Sequence, residues 1–214
     1  MAEEKQLSKR QLEIQLAKLK TQADPNLKLE QYPVSPEAAS ELLYMAGFEH
    51  DDLHGRTIDL GTGTGRLAIG AALMGSRDIL GVDVDVRAIE LARENAKRAG
   101  VDVEFTQSAI ANFNGHYDVV LMNPPYGSRI RHADIAFLDK AFQLAPTTYT
   151  IHKSSTRLFL ANHIQRSGRK IDEARSLEME IPHLFNFHNR RWKKIEIDLY
   201  RIVESSPSSR RKRD

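Results

Sequence analysis

The sequence contains no cysteine, which excludes disulfide bonds and any zinc site built on cysteine ligands. It also lacks an apolar run close to the roughly 18 residues that a membrane-spanning helix needs. The segment 3–10 is charged and polar, without the apolar stretch of a secretory signal peptide. These three absences predict a cytoplasmic protein.

The length of 214 residues suits one α/β domain with a substantial core. Of the 31 basic and 29 acidic residues, four basic and one acidic residue lie in the segment 205–214, which leaves 27 basic and 28 acidic residues elsewhere. Phosphate contacts supply much of the affinity for nucleic acids. A nucleic-acid ligand would therefore need a local basic patch or the help of a partner.

Composition and periodicity predict three parts: an N-terminal helix and linker (1–28), a single domain (29–204) and a disordered basic tail (205–214). Leucines at helical spacing between residues 6 and 21 favour a helix that lies on the domain's own core. Ser35 and Pro36 suit the start of a second helix, which we expect to end at Gly47 with a glycine cap.

From residue 56 onward, apolar strand patterns alternate with helical patterns, which indicates an α/β fold with a mostly parallel, twisted sheet and helices on both faces. The predicted strands are 57–60, 79–82, 103–106, 118–122 and 148–152. The predicted helices are 66–74, 86–99 and 133–144. Two long final strands, 170–181 and 194–203, predict an antiparallel edge on this sheet.

A glycine-rich loop follows the first predicted strand and leads directly into a helix. It reads Asp59-Leu60-Gly61-Thr62-Gly63-Thr64-Gly65. Glycines let the backbone pass close to a bound nucleoside, although a tight structural turn would also use them. A dinucleotide loop has the spacing GxGxxG and binds a pyrophosphate, which an acid at the strand end would repel. The pattern DxGxGxG instead favours S-adenosyl-L-methionine, whose ammonium can pair with Asp59.

An acid also ends the second predicted strand. The carboxylate of Asp83 can accept hydrogen bonds from both hydroxyls of a ribose, as acids do at this position in nucleotide-binding sheets. Asp85 is better explained as the N-cap of the helix that begins at Val86. We therefore expect Asp83 to bind the cofactor's ribose.

The most specific motif is Asn123-Pro124-Pro125-Tyr126, directly after a strand of apolar residues. Two prolines stiffen the turn beyond the strand, where ligands bind in open α/β sheets. An exocyclic purine amine is a poor nucleophile because its lone pair is delocalised into the ring. If the Asn123 side-chain oxygen and the Pro124 carbonyl each accept one N–H, the lone pair is directed at the cofactor's methyl. Tyr126 would stack on the flipped base.

These motifs, together with Leu29 to Pro33, Gly127 and the run Ile151 to Arg157, resemble the ribosomal-RNA N6-adenine methyltransferases whose human member is the fifth methyltransferase-like protein. The likeness covers nearly all of 12–203. It implies a Rossmann-like class I methyltransferase fold, N6-methyladenosine as product and small-subunit ribosomal RNA as substrate. It also implies a heterodimer with a small zinc-binding methyltransferase activator subunit.

The resemblance extends the expected cofactor site. With the loop and the second strand end, the set is Gln31, Tyr32, Val34, Asp59, Gly61, Gly63, Thr64, Gly65, Arg66, Asp83, Val84, Ser108, Ala109 and Ile110. Relatives commonly carry an acid after the third strand to bind the adenine amine. This chain has Gln107-Ser108-Ala109-Ile110 there, so the contact is lost or is made by the Ser108 hydroxyl or by backbone.

Basic residues up to Lys153 could surround the active-site mouth, and later segments supply further candidates for RNA contacts, although each one alone could be a solvated surface charge. The candidates are Arg129, Arg131, His152, Lys153, Arg190 and Arg191. Two other functions remain open at this point. A protein glutamine N5-methyltransferase uses the same Asn-Pro-Pro-Tyr logic on an amide, and a catalytically idle RNA-binding or ribosome-assembly module would keep only the fold.

Overall fold

The computed structural model describes residues 7–22, 33–125, 133–182 and 192–205. The helices are α1 (Lys9–Ala17), α2 (Pro36–Tyr44), α3 (Arg66–Leu73), α4 (Val86–Ala99), α5 (Ala133–Leu144) and α6 (Arg157–Arg166). The strands are β1 (Thr57–Leu60), β2 (Ile79–Asp83), β3 (Glu104–Gln107), β4 (Val119–Met122), β5 (Thr147–Lys153), β6 (Arg169–Pro182) and β7 (Trp192–Glu204).

The described strands form one seven-stranded sheet in the order β3-β2-β1-β4-β5-β7-β6. The first five strands in this order are parallel, and β7 runs antiparallel to both β5 and β6. The strand order reverses between β1 and β4, which places a crevice outside their carboxyl ends. The predicted α/β fold with an antiparallel C-terminal edge is confirmed.

Helices cover both faces of the sheet. Leucines of α1 and α2 pack with α3 and α4 in one apolar cluster, in which Leu12, Leu16 and Leu43 are fully buried. Leu138 of α5 and Leu160 of α6 belong to the cluster on the other face. The expectation that the N-terminal helix lies on the domain's own core is therefore confirmed. None of the described helices is long and apolar enough to cross a membrane.

Local signals explain where several helices begin and end. The Ser35 hydroxyl accepts the backbone N–H of Ala38 at the start of α2, and the Asp85 carboxylate accepts that of Arg87 at the start of α4. Gly100 ends α4 in a left-handed conformation with φ of 70°. Asp85 is thus an N-cap, as expected.

The end of the second helix differs from its prediction. Instead of stopping at Gly47, the helix continues into a π-helical turn, Met45–Glu49. A Cβ at Gly47 would lie 3.0 Å from the Leu53 side chain, so the glycine serves close packing and not a helix cap. Helix α6, which the sequence patterns did not indicate, connects β5 to β6.

Candidate active site

Three strand ends bring the predicted motifs to one edge of the sheet. Leu60 at the end of β1 pairs with Val82 of β2 on one side and with Met122 of β4 on the other. Gly61, Asp83 and Asn123 each follow one of these paired residues. The glycine loop, the expected ribose acid and the expected catalytic amide therefore lie side by side, as parallel strands require.

The glycine loop has the conformation that its sequence demands. Gly61 and Gly63 have φ values of 69° and 55°, a region that residues with a Cβ rarely adopt. A Cβ at Gly61 would meet the Phe137 ring at 2.8 Å, whereas a Cβ at Gly63 would meet no described atom within 4 Å. The loop is thus packed tightly at Gly61 and borders open space at Gly63, which is where a ligand can approach the backbone.

Asp59 is buried at the base of this loop and is only 1% exposed. Its Oδ2 accepts hydrogen bonds from the Thr62 hydroxyl at 2.6 Å and from the Ala68 backbone N–H at 3.0 Å. Its Oδ1 is buried with no hydrogen-bond partner among the described residues. Burial raises the pKa of Asp59 to about 7, and the nearby Asp83 adds to this effect. One carboxylate oxygen therefore fixes the loop, and the other can receive a cation or N–H donor.

Asp83 is held by two backbone groups at the end of β2. Its Oδ2 accepts the N–H of Gly63 at 2.8 Å, and its Oδ1 accepts the N–H of Asp85 at 2.9 Å. Burial raises its pKa, while these N–H groups oppose that effect. Each oxygen keeps a further acceptor site in a fixed orientation, so the carboxylate is suited to receive two neighbouring hydroxyls.

The segment after β3 lies next to Asp83. Asp83 pairs with Gln107 in the sheet, and the Ser108 backbone N–H donates to the Asp83 carbonyl at 2.9 Å. The Val84 side chain is 49% exposed beside them. The structure therefore brings Val84 together with the segment 108–110, as predicted for an adenine pocket. Ala109 stands where the resemblance implies an acid, so an adenine contact from the Ser108 hydroxyl or from backbone stays a prediction.

Arg66 is a buried cation at the start of α3. Its Nη1 donates to the backbone carbonyl of Val34, and its Nε is buried with no hydrogen-bond partner among the described residues. Burial lowers the pKa of Arg66, and no described carboxylate opposes that effect. A buried guanidinium without a counter-ion is costly, which marks this position as a place for an anionic ligand group.

The Asn123-Pro124-Pro125 turn begins directly beyond β4. Pro124 is buried, and the side-chain oxygen of Asn123 is buried although the residue as a whole is partly exposed. Because Gly61 occupies the equivalent position beyond β1, Asn123 lies next to the glycine loop. This arrangement can hold a substrate amine against a ligand bound by that loop.

One predicted RNA contact is wrong. His152 is only 2% exposed, and its Nε2 lies 2.9 Å from the Thr150 hydroxyl. Burial lowers the pKa of His152 to about 3, so the imidazole is neutral and packed near the Tyr200 ring. Lys153, the next residue, is partly exposed at the end of β5, where an RNA contact stays a prediction.

Several predicted residues lie outside the described residues, so their expected roles stay predictions. They are Gln31, Tyr32, Tyr126, Arg129, Arg131, Arg190 and Arg191. The same holds for residues 1–6 and 23–28 of the expected N-terminal helix and linker, and for 206–214 of the expected tail.

Asn95 is a site residue that the sequence analysis missed. Its amide donates to the carbonyls of Thr64 and Lys20, both at 3.0 Å, and accepts the Lys20 N–H at 3.0 Å. It is fully buried and thereby ties the glycine loop to the segment after α1. The sequence did contain a signal for this role. Asn95 lies on the apolar side of α4, beside Ala88, Ala92 and Ala96, where a buried polar side chain needs a hydrogen-bond partner.

The geometry fits S-adenosyl-L-methionine group by group. Asp59 and Arg66 are suited to its ammonium and carboxylate, Asp83 to its ribose, and Val84 with the segment 108–110 to its adenine. A glycine loop, a ribose acid and an Asn-Pro-Pro turn on a sheet of this topology define a class. The protein is a Rossmann-like, S-adenosyl-L-methionine-dependent methyltransferase.

Comparisons with known proteins agree. The model of the Methyltransferase small domain family matches residues 36–150. The chain is 31% identical over 192 residues to the rRNA N(6)-adenosine-methyltransferase METTL5 of Danio rerio, covering 84% of this chain and 91% of that protein. An uncharacterized protein of Methanocaldococcus jannaschii is 35% identical, with 92% and 94% covered.

A solved structure from Pyrococcus horikoshii, of the candidate RNA methyltransferase PH1948, superimposes with a TM-score of 0.87 at 36% identity. The match covers 94% of this chain and 99% of that one. The chain therefore belongs to the METTL5 family within the Methyltransferase small domain proteins, and the family resemblance deduced from its motifs is confirmed.

The raised pKa of Asp59 gives cofactor binding a predictable pH dependence. The cofactor's ammonium should pair with ionised Asp59, so below the pKa of about 7 a proton must leave before binding. We expect the affinity for S-adenosylhomocysteine to rise about tenfold per pH unit from about pH 5 to pH 7. It should fall again above about pH 8, where the ligand's α-amino group loses its proton.

Titration calorimetry from pH 5 to pH 9, in buffers of different ionisation enthalpy, measures both the affinity and the protons released. The variant Asp59→Asn should bind S-adenosylhomocysteine more weakly at neutral pH and should lose most of the increase in affinity between pH 5 and pH 7. A smaller increase should remain, because the pKa of Asp83 is also raised. An unchanged rise in this variant would assign the titration to another group.

Proposed function

We propose that this protein transfers the methyl group of S-adenosyl-L-methionine to the N6 nitrogen of an adenosine in small-subunit ribosomal RNA. The observation that carries the proposal is the placement of Asn123 and Pro124 beyond β4, level with the glycine loop beyond β1. This turn offers two oxygen acceptors, one amide and one backbone carbonyl, which match the two hydrogens of an exocyclic amine. The family membership supports RNA as the substrate, since METTL5 of Danio rerio is an rRNA N(6)-adenosine-methyltransferase.

Positioning is the main contribution of the protein in this proposal. The bound cofactor supplies a methyl group on a positively charged sulfonium sulfur. When the methyl group is transferred, the neutral thioether S-adenosylhomocysteine is a good leaving group. Asn123 Oδ1 and the Pro124 carbonyl each accept one N–H of the amine, which holds the nitrogen and turns its lone pair toward the cofactor site. Tyr126 stacks on the flipped adenine. The proton leaves the product amine after transfer, when the nitrogen has become acidic, so no strong base is needed.

Further features of the proposal rest on the resemblance. Gln31 and Tyr32 close over the cofactor, and Arg129, Arg131, Lys153, Arg190 and Arg191 meet RNA phosphates. A small zinc-binding activator subunit covers an edge of the sheet, whose described edge strands are β3 and β6. Such a partner would also supplement the RNA affinity of a chain that is nearly neutral outside its tail. Modification of ribosomal RNA fits the cytoplasmic location expected from the sequence.

Transfer of labelled methyl tests the proposed function. The full chain, alone and with the activator subunit, is incubated with labelled S-adenosyl-L-methionine and with unmodified transcripts of small- and large-subunit ribosomal RNA. We expect label in N6-methyladenosine at one position of the small-subunit transcript, detected by nucleoside mass spectrometry after digestion.

Three outcomes would contradict the proposal. Label in protein N5-methylglutamine instead of RNA would indicate the amide chemistry that the same motif can perform. Label in the large-subunit transcript alone would refute the choice of substrate. RNA binding without transfer, under conditions in which the cofactor is bound, would indicate an idle binding module.

A further inference from the structure

The turn after β5 lies beside the Asn123-Pro124-Pro125 motif. Met122 of β4 pairs with Thr150 of β5, and β5 continues three residues further, to Lys153. Residues 151–153 therefore run alongside the motif. A 3₁₀ turn, Ser154–Thr156, and the first turn of α6 follow at the same edge of the sheet. The turn therefore lies near the mouth of the active site.

The position of this turn is fixed by Asp198 of β7, which pairs with His152 of β5. Asp198 is only 1% exposed. It accepts hydrogen bonds from the Ser154 hydroxyl at 2.8 Å and from Arg157 Nε and Nη2 at 2.8 and 2.6 Å. The hydroxyls of Ser176 and Tyr200 complete the set at 2.9 and 2.7 Å. With this many donors on one carboxylate, the turn is a rigid platform and not a free loop.

Phe159 lies on the side of α6 that is turned toward α5. Leu160 and Ile164 are buried against the sheet. One turn after Phe159, His163 Nε2 contacts Asp139 Oδ1 of α5 at 2.7 Å. Positions four residues apart share a helix face, so Phe159 lies on the side of α6 that is turned toward α5. Helix α5 begins at the same edge of the sheet, so Phe159, in the first turn of α6, lies at this edge on the α5 side of the turn after β5.

Phe159 and the preceding Leu158 are both exposed, but they lie on different sides of α6. Phe159 is 50% exposed, and Leu158 is 81% exposed. Leu158 lies two residues before buried Leu160 and so points away from the sheet. A half-exposed aromatic ring on a rigid turn, a few residues after Lys153 and at the active-site edge of the sheet, has the features of a stacking surface in single-stranded RNA recognition.

We propose that Phe159 stacks on a nucleotide of the RNA next to the target adenosine. The inference rests on the proposed function. Flipping the adenosine out of its stack leaves a neighbouring base with one uncovered face. Phe159 covers that face, while Lys153 meets a flanking phosphate. The ring thereby lowers the free energy of the flipped state and contributes to RNA selection without touching the reacting atoms.

Substitutions at Phe159 test the inference, with Leu158→Ala as the matched control. We expect Phe159→Ala to raise both the Kd and the KM for the small-subunit transcript about tenfold, within the range that removal of a base-stacking ring produces. The aromatic variant Phe159→Tyr should stay within about twofold of the parent protein, whereas Phe159→Leu should resemble Phe159→Ala. The affinity for S-adenosylhomocysteine should be unchanged in all variants. The slope of log Kd against log salt should also stay the same, because no phosphate contact is removed.

Fluorescence anisotropy with labelled transcript and methyl-transfer kinetics supply the readouts. Normal RNA affinity in Phe159→Ala, or in Phe159→Leu, would overturn the stacking role. Equal losses in Phe159→Ala and Leu158→Ala, accompanied by loss of the activator subunit, would instead identify an apolar protein-docking surface. If the parent protein methylates adenosine and Phe159→Ala does so equally well, only the inference fails. If the parent protein modifies no RNA, the proposed function fails first.

Discussion

Replacing Asn123 by alanine is expected to lower kcat for methyl transfer by about 10³-fold or more while leaving cofactor affinity nearly unchanged. The reason is the position of Asn123 beyond β4, level with the glycine loop, whose conformation is held by Asp59 and Asp83. Without the amide oxygen, one N–H of the substrate amine loses its acceptor. The nitrogen is then free to rotate, and its lone pair is no longer directed at the cofactor site.

Single-turnover kinetics and calorimetry separate these effects. Asn123→Asp keeps an acceptor oxygen at the same place and should recover part of the rate. Asn162→Ala, an exposed asparagine of α6, is the matched control and should behave as the parent protein. Turnover in Asn123→Ala within tenfold of the parent would refute the role of the amide. A parallel loss of cofactor affinity would show that Asn123 shapes the cofactor site instead.

The fold and the centre of the site were predictable because their signals are local. Each predicted strand lies within two residues of an observed one, since apolar runs bounded by glycine, proline or charge mark buried parallel strands. The glycine loop and Asn123 follow strands directly, so topology alone brings them together. Nothing in this reasoning needed contacts between distant parts of the chain.

The features that were missed depend on such distant contacts. Asp198 lies in a stretch of alternating charged and apolar residues, a pattern that predicts an acid at the surface. In the structure it is buried because it accepts hydrogen bonds from Ser154 and Arg157, which lie 44 and 41 residues earlier in the chain. His152 was expected at the surface because it is polar, and its burial depends on the distant strand β7, where it pairs with Asp198 and lies near the Tyr200 ring.

Helix α6 escaped prediction because its apolar residues do not form one stripe. Leu158 and Phe159 are exposed while Leu160 is buried, so the pattern has no clear helical period. One of these two exposed residues, Phe159, is also the residue of the stacking contact proposed above. Here the failure of the periodicity rule coincides with a candidate functional residue, as expected where a side chain is placed for a ligand and not for the core.

Replacing Asp83 by alanine is expected to weaken binding of S-adenosylhomocysteine by about 10²-fold. The carboxylate is positioned to accept both ribose hydroxyls, and each charge-assisted hydrogen bond contributes about 1.5–3 kcal/mol. The substitution also removes the acceptor of the Gly63 N–H, so the glycine loop loses part of its support. Asp83→Asn should not restore binding, because its amide nitrogen would face the N–H of either Gly63 or Asp85, both of which are donors.

Asp85→Ala is the matched control, two residues further along. It removes the N-cap of α4 and should lower the free energy of unfolding by about 1 kcal/mol, with cofactor affinity within a few fold of the parent. Thermal unfolding identifies variants whose weak binding results from instability. For Asp83→Ala, KM for the cofactor should rise while kcat at saturation stays within a few fold, because the ribose is remote from the transferred methyl. A collapse of kcat at saturating cofactor would place Asp83 in the methyl-transfer step and contradict a role confined to binding.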